Sequence, residues 1–121
     1  MTIRILIADD DASMRGALGD MLGSEPGYQV VGLAADPESA INLADAHHPD
    51  VAILDVKMPG GGGIRAAEGI RAASPGTRIV ALSAWDDSET MRRMRRAGAT
   101  GYLVKGAAPD DIVSLIDRIS R

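Results

Sequence analysis

The chain has 121 residues, 45% of them apolar and 25% charged, with a formal net charge of -4; that is the size of one domain around one core. Cysteine is absent, which excludes disulfides, thiolate metal sites and a cysteine nucleophile. The negative balance, and an aromatic set of only Tyr28, Trp85 and Tyr102, argue against nucleic acid binding by this segment.

In chain order, the first apolar run is Ile3–Ala8. It runs straight into Asp9-Asp10-Asp11, so it reads as a buried strand and not as a signal peptide. A helical stripe follows at Met14, Ala17, Leu18, Met21 and Leu22. Gln29–Ala34 is the second strand. Asp36-Pro37 reads as helix N-cap and first helical position, with Ala40, Ile41 and Ala44 facing inward. His47 and His48 precede Pro49 at that helix's end and read as surface residues. Val51–Leu54 is the third strand, ending at Asp55. Gly60 to Gly63 reads as a flexible loop, because the spacing and lysine of a phosphate cradle are missing. Ile64, Ala67 and Ile70 mark the third helix. Arg78–Leu82 is the fourth strand, ending at Ser83, and Met91 and Met94 mark a fourth helix that stops at Gly98. Gly101–Val104 is the fifth strand, ending at Lys105. Pro109, Asp110 and Asp111 open the last helix, striped by Ile112, Leu115, Ile116 and Ile119.

Five βα units in succession imply a parallel sheet with helices on both faces and right-handed crossovers. No linker or internal repeat interrupts them. The expectation is one domain over residues 1–121, with no output domain in this chain, no membrane span and a cytoplasmic location.

Ligands of such sheets bind beyond the carboxyl ends of the strands. Strand one ends in Asp9 and Asp10, strand three in Asp55, strand four in Ser83 and strand five in Lys105. Three carboxylates against one ammonium cannot all stay ionised without a cation. A hard divalent ion, Mg²⁺, fits that need. A carboxylate beside Mg²⁺, a lysine and a hydroxyl is equipped to attack phosphorus and form an aspartyl phosphate. Asp55, on the central strand, is the candidate nucleophile.

The blocks Ile5-Leu6-Ile7-Ala8-Asp9-Asp10-Asp11, Leu54-Asp55-Val56-Lys57-Met58-Pro59-Gly60, Leu82-Ser83-Ala84 and Gly101-Tyr102-Leu103-Val104-Lys105 resemble the signature blocks of the receiver domain of two-component response regulators, in order and across the whole chain. The resemblance implies a flavodoxin-like (βα)5 three-layer sandwich with strand order 2-1-3-4-5. It implies that Asp55 accepts the phosphoryl group and that Asp9, Asp10 and Asp55 hold Mg²⁺, Asp10 more directly than Asp9, with the backbone carbonyl of Lys57 as a further ligand. By the same resemblance Lys105 pairs with the phosphoryl group, Ser83 swings to bond one of its oxygens, and Tyr102 reorients with Ser83. The donor it implies is the phosphohistidine of a sensor histidine kinase. The chemistry is self-directed transfer and hydrolysis, not that of a conventional enzyme. Trp85, two residues beyond Ser83, is then placed to report movement of that loop.

Gly106 stands where many receivers have proline. The segment Lys105-Gly106-Ala107-Ala108-Pro109 instead resembles the subfamily that carries a C-terminal helix-turn-helix, so a DNA-binding output domain would lie outside this segment. Gly62 replaces a usual Asp or Asn, and Ala108 is a poor N-cap where that subfamily often has Ser.

Plainer readings stand beside these. Asp11 reads as an N-cap, Ser83 as a cap for helix four, and Lys105 as a snorkelling lysine. Arg92, Arg93, Arg95 and Arg96 read as a solvated face. Their sharper reading is a surface for a second copy of the chain, complementary to Asp110, Asp111 and Asp117, giving a homodimer through the helix 4/helix 5 face. The alternative function is an aspartate-nucleophile phosphatase, which places D-x-D at the end of strand one. A flavin or dinucleotide carrier fails on the acidic first loop.

Overall fold

The computed structural model describes residues 2–84 and 87–120; Trp85, the expected reporter, lies outside the described residues. Five strands form one parallel sheet in the order β2-β1-β3-β4-β5, with β1 Ile3–Ala8, β2 Tyr28–Ala34, β3 Val51–Asp55, β4 Arg78–Ser83 and β5 Ala99–Val104. The helices are α1 Ala12–Gly23, α2 Pro37–His47, α3 Gly62–Ala73, α4 Ser88–Ala97 and α5 Pro109–Ile119. None is long and apolar enough to cross a membrane.

The strands alternate two apolar faces. Leu6, Ala8, Ala52, Leu54, Ile79 and Ala81 face α2, α3 and α4, which supply Ala40, Ala44, Ala66, Ala67, Ile70 and Met94. Ile5, Ile7, Val51, Ile53, Val80 and Leu82 face α1 and α5, which supply Leu18, Leu22, Ile112, Leu115 and Ile116. Every residue of β3 is buried. This is the three-layer sandwich and strand order that the family resemblance implies. Burying both faces makes strands read as unbroken apolar runs. The first helical stripe needs one correction: Ala17 is exposed, and Leu18 and Leu22 carry the packing of α1.

The caps follow local chemistry. Asp11 accepts hydrogen bonds from the Ser13 and Met14 amides at the start of α1, and Asp36 accepts one from the Ser39 amide at α2. Asp87, not Ser83, caps α4 by accepting from the Glu89 amide, so Ser83 is released from the capping reading. Ala108 makes no side-chain cap bond at α5, as its type predicts.

The glycine run is not a slack loop. Gly60, Gly61 and Gly62 have φ of +83°, +114° and +70°, a region closed to most side chains. A Cβ on Gly63 would lie 2.6 Å from the Asp55 carbonyl oxygen, and one on Gly62 would lie 2.7 Å from that of Val56. The run is glycine because α3 starts hard against the backbone that follows Asp55. Composition shows the missing side chains, while the reason lies in a contact that no local pattern encodes.

Candidate functional site

Parallel strands deliver the residues after their last positions to one edge, and β1, β3, β4 and β5 deliver the chemistry there. Asp9 follows β1; its amide donates to the Ala34 carbonyl at 3.0 Å, and its carbonyl accepts from Arg15 Nη1 at 2.8 Å. Its side chain is fully buried. Oδ1 accepts from the Asp11 amide at 2.9 Å. Oδ2 pairs with Lys105 Nζ at 3.1 Å and accepts no hydrogen bond of good geometry from a described residue. Asp10 is exposed.

Asp55 ends β3 with 3% of its surface exposed. Its Oδ1 accepts from the Lys57 amide at 3.2 Å, and its Oδ2 accepts from Lys105 Nζ at 3.3 Å. Burial pushes its carboxyl up to about 6; the Asp9 charge adds to this, while the Lys57 amide and Lys105 oppose it. Burial also pulls on Lys105 toward neutrality. Its contacts with Asp9 and Asp55 win, and the ammonium is held above its ordinary value. Lys105 is thus placed by two buried carboxylates at nearly equal distances, which rules out a merely snorkelling side chain.

Carboxylate oxygens of Asp9, Asp10 and Asp55 lie within 4.8 Å of one another. A buried oxygen without a hydrogen bond normally costs about 1–3 kcal/mol. Asp9 Oδ2 meets the Lys105 charge but accepts no hydrogen bond of good geometry from a described residue, and an all-oxygen set of this spread suits a hard cation that keeps several waters. The residues fit Mg²⁺.

Ser83 ends β4, buried, and its carbonyl accepts from the Lys105 amide at 2.7 Å. Tyr102 is half-buried on β5, in register with Ala81 of β4. The structure therefore brings Asp9, Asp10, Asp55 and Lys105 into one cluster, sets Ser83 at its rim through the backbone, and places Tyr102 one strand over, on the α4 side. Lys57 enters through its backbone while its side chain is exposed.

The α4 arginines are exposed, and Arg92 pairs loosely with Glu89 at 3.7 Å. The acidic counterpart needs a correction. Asp117 is not freely available, because Tyr28 donates its hydroxyl to Asp117 Oδ1 at 2.7 Å. That hydroxyl also lies 3.1 Å from the Val113 carbonyl. Tyr28 lies one residue before the predicted start of β2, so sequence reading gave it no role. Asp110 and Asp111 do remain exposed.

Comparison with known proteins agrees with this geometry. The family model "Response regulator receiver domain" matches residues 5–117. The transcriptional regulatory protein PdtaR of Mycobacterium tuberculosis is 44% identical over 114 residues, 94% of this chain and 55% of that protein. The response regulator GacA of Pseudomonas aeruginosa is 35% identical over 117 residues, 97% of this chain and 55% of that protein. This chain thus spans about half the length of these relatives. Among solved structures, the signal receiver domain of the response regulator NarL from Mycobacterium tuberculosis superposes with a TM-score of 0.92 at 32% identity, covering 98% of this chain and 96% of that one. The chain belongs to the response regulator receiver domain family.

Proposed function

We propose that this receiver domain, a phosphorylation-controlled switch of the two-component type, takes its phosphoryl group from the phosphohistidine of a sensor histidine kinase onto Asp55. The observation that carries the reading is the Asp55 carboxylate, buried, 3.3 Å from Lys105 and within 4.8 Å of two further acids. A carboxyl at about 6 is mostly ionised at neutral pH, so the nucleophile needs no separate base. An oxygen of Asp55 attacks phosphorus as the P–N bond breaks, and the bonding electrons leave with the imidazole. Lys105 Nζ stays beside the equatorial oxygens and offsets their charge. Asp9, Asp10 and the Lys57 carbonyl would hold Mg²⁺, which when bound supplies charge neutralisation at those oxygens.

The output follows from the added group, which brings roughly -1.5 to -2 charge and three acceptor oxygens. Ser83 donates to one of them once its loop moves inward. Tyr102, on the neighbouring strand, fills the space that this movement leaves, and the α4–β5 face changes shape. That face would control an output domain outside this segment, DNA-binding if it is of the helix-turn-helix kind. The exposed α4 arginines would meet Asp110 and Asp111 of a second copy. The compartment that suits such a kinase and regulator is the cytoplasm.

The phosphatase alternative needs a free acid two places after a nucleophilic Asp9. Asp11 occupies that place, and its carboxylate accepts from the Ser13 and Met14 amides.

Intact-mass measurement after incubation with Mg²⁺ and a small acyl phosphate tests the proposal. One added phosphoryl group is expected, with none in EDTA; no adduct with any acyl phosphate or phosphohistidine donor would refute it. For the metal, Asp10→Asn should weaken Mg²⁺ binding about 10-fold or more and raise metal-free stability slightly, since crowded carboxylates repel. Calorimetric titration with unchanged Mg²⁺ affinity would remove Asp10 from the site.

A further inference from the structure

One guanidinium links three features that the mechanism leaves unused: the glycine run, the acidic start of α2 and the first turn of α3. Arg65 donates from Nη1 to the Gly60 carbonyl at 2.9 Å and from Nη2 to Glu38 Oε2 at 2.8 Å. Its aliphatic stem lies across Gly61, where an added Cβ would come within 2.9 Å of the Arg65 Cβ and Cδ. Gly62 and Gly63 lie so close to the carbonyl oxygens of Val56 and Asp55 that an added Cβ would come within 2.7 and 2.6 Å of them, and the Gly63 amide donates to the Val56 carbonyl at 3.1 Å. The turn is held between the arginine and the backbone of the phosphoacceptor.

We propose that Arg65 is a positioning residue: it straps the Gly60–Gly63 turn and so holds the Lys57 segment in place for the divalent cation. This rests on the reading that Asp9, Asp10 and the Lys57 carbonyl hold Mg²⁺. Such a turn needs an outside tether. Four successive glycines lose the most backbone freedom on ordering, and the N-cap of α3, Gly61, has no side chain to bond the free amides. Arginine suits the task because its planar fork serves a carbonyl and a carboxylate at once, which a lysine point charge does not. The Glu38 pair is exposed and contributes little alone; it aims the fork, while the Gly60 bond and the stem contact grip the turn.

The test uses Arg65→Ala, Arg65→Lys and Glu38→Gln in the whole chain, with Mg²⁺ titration, melting temperature and amide exchange as readouts. Arg65→Ala is expected to weaken Mg²⁺ binding about 10-fold, the low end for outer-shell partners of a metal site. The melting temperature should stay close to wild type, and the Gly63 amide should exchange faster without metal. Arg65→Lys should recover part of the affinity, and Glu38→Gln should stay near wild type. Affinity within twofold of wild type in Arg65→Ala would overturn the inference. So would a fall in melting temperature large enough to account for the lost binding. If wild type itself binds no Mg²⁺, the metal reading fails and takes the metal role with it, while unchanged Gly63 exchange would separately overturn the strap.

Discussion

Asp55→Asn is expected to abolish phosphorylation and, without metal, to make the domain more stable at neutral pH. The first effect follows from removing the carboxylate at the end of central β3, which accepts a hydrogen bond from Lys105. The second follows from its burial. A carboxyl at about 6 in the folded chain, against about 3.9 unfolded, is more readily protonated when folded. Its contribution to stability is therefore fully present below about pH 4 and is lost as pH rises through 6. A shift of about two units corresponds to ~1–3 kcal/mol once partial wetting of the site is allowed for. Asparagine can still accept from the Lys57 amide and carries no charge. Urea unfolding of both proteins from pH 4 to 8 should show wild type losing ground to the variant as pH rises, and Mg²⁺ should narrow the difference. A variant less stable than wild type at pH 7.5 without metal would contradict the account.

Lys105→Ala should produce the next largest change. Deleting one partner of a buried ion pair costs about 3–5 kcal/mol. Lys105 keeps 21% exposure, so a loss of ~2–4 kcal/mol without metal is expected. The two buried acids would then meet their nearest compensation in Mg²⁺, so its affinity should rise while phosphoryl transfer slows by about 10²-fold. Opposite signs for metal affinity and transfer rate separate a charge-stabilising role from a structural one. Chemical denaturation with and without Mg²⁺, and the time course of the mass adduct, measure both. Equal destabilisation in the two conditions would show that Lys105 is not the counter-ion of the carboxylates.

Fold and candidate site differ in how far the sequence exposes them. Buried parallel strands announce themselves as short Val, Ile and Leu runs, and strand ends carry the polar residues, so Asp9, Asp55, Ser83 and Lys105 could be ordered along one edge before any contact was known. What stays hidden depends on contacts between distant segments. Arg65 and Glu38 look like two surface charges until the fold sets them 2.8 Å apart. Asp117 looks like a free acid on the last helix until Tyr28 reaches it. His48 is exposed, as its place at the helix end predicts, but its Nδ1 contact with Ser74 Oγ at 3.3 Å joins segments that the sequence keeps apart. There Thr77 donates to the Pro49 carbonyl, so Ser74 donates to Thr77 and His48 must be the donor to Ser74. Strand edges are also blurred: β5 begins at Ala99, two residues before the predicted start, because Ala99 already pairs with Ile79.

The central claim is that Asp55, and no other acid of the cluster, carries the phosphoryl group. Borohydride reduces an acyl phosphate to the alcohol, turning a phosphorylated aspartate into homoserine, which peptide sequencing by mass spectrometry locates. After treatment with Mg²⁺ and an acyl phosphate donor, homoserine is expected at position 55 alone. Homoserine at position 9 or 10 would contradict the account and favour a nucleophile at the end of β1.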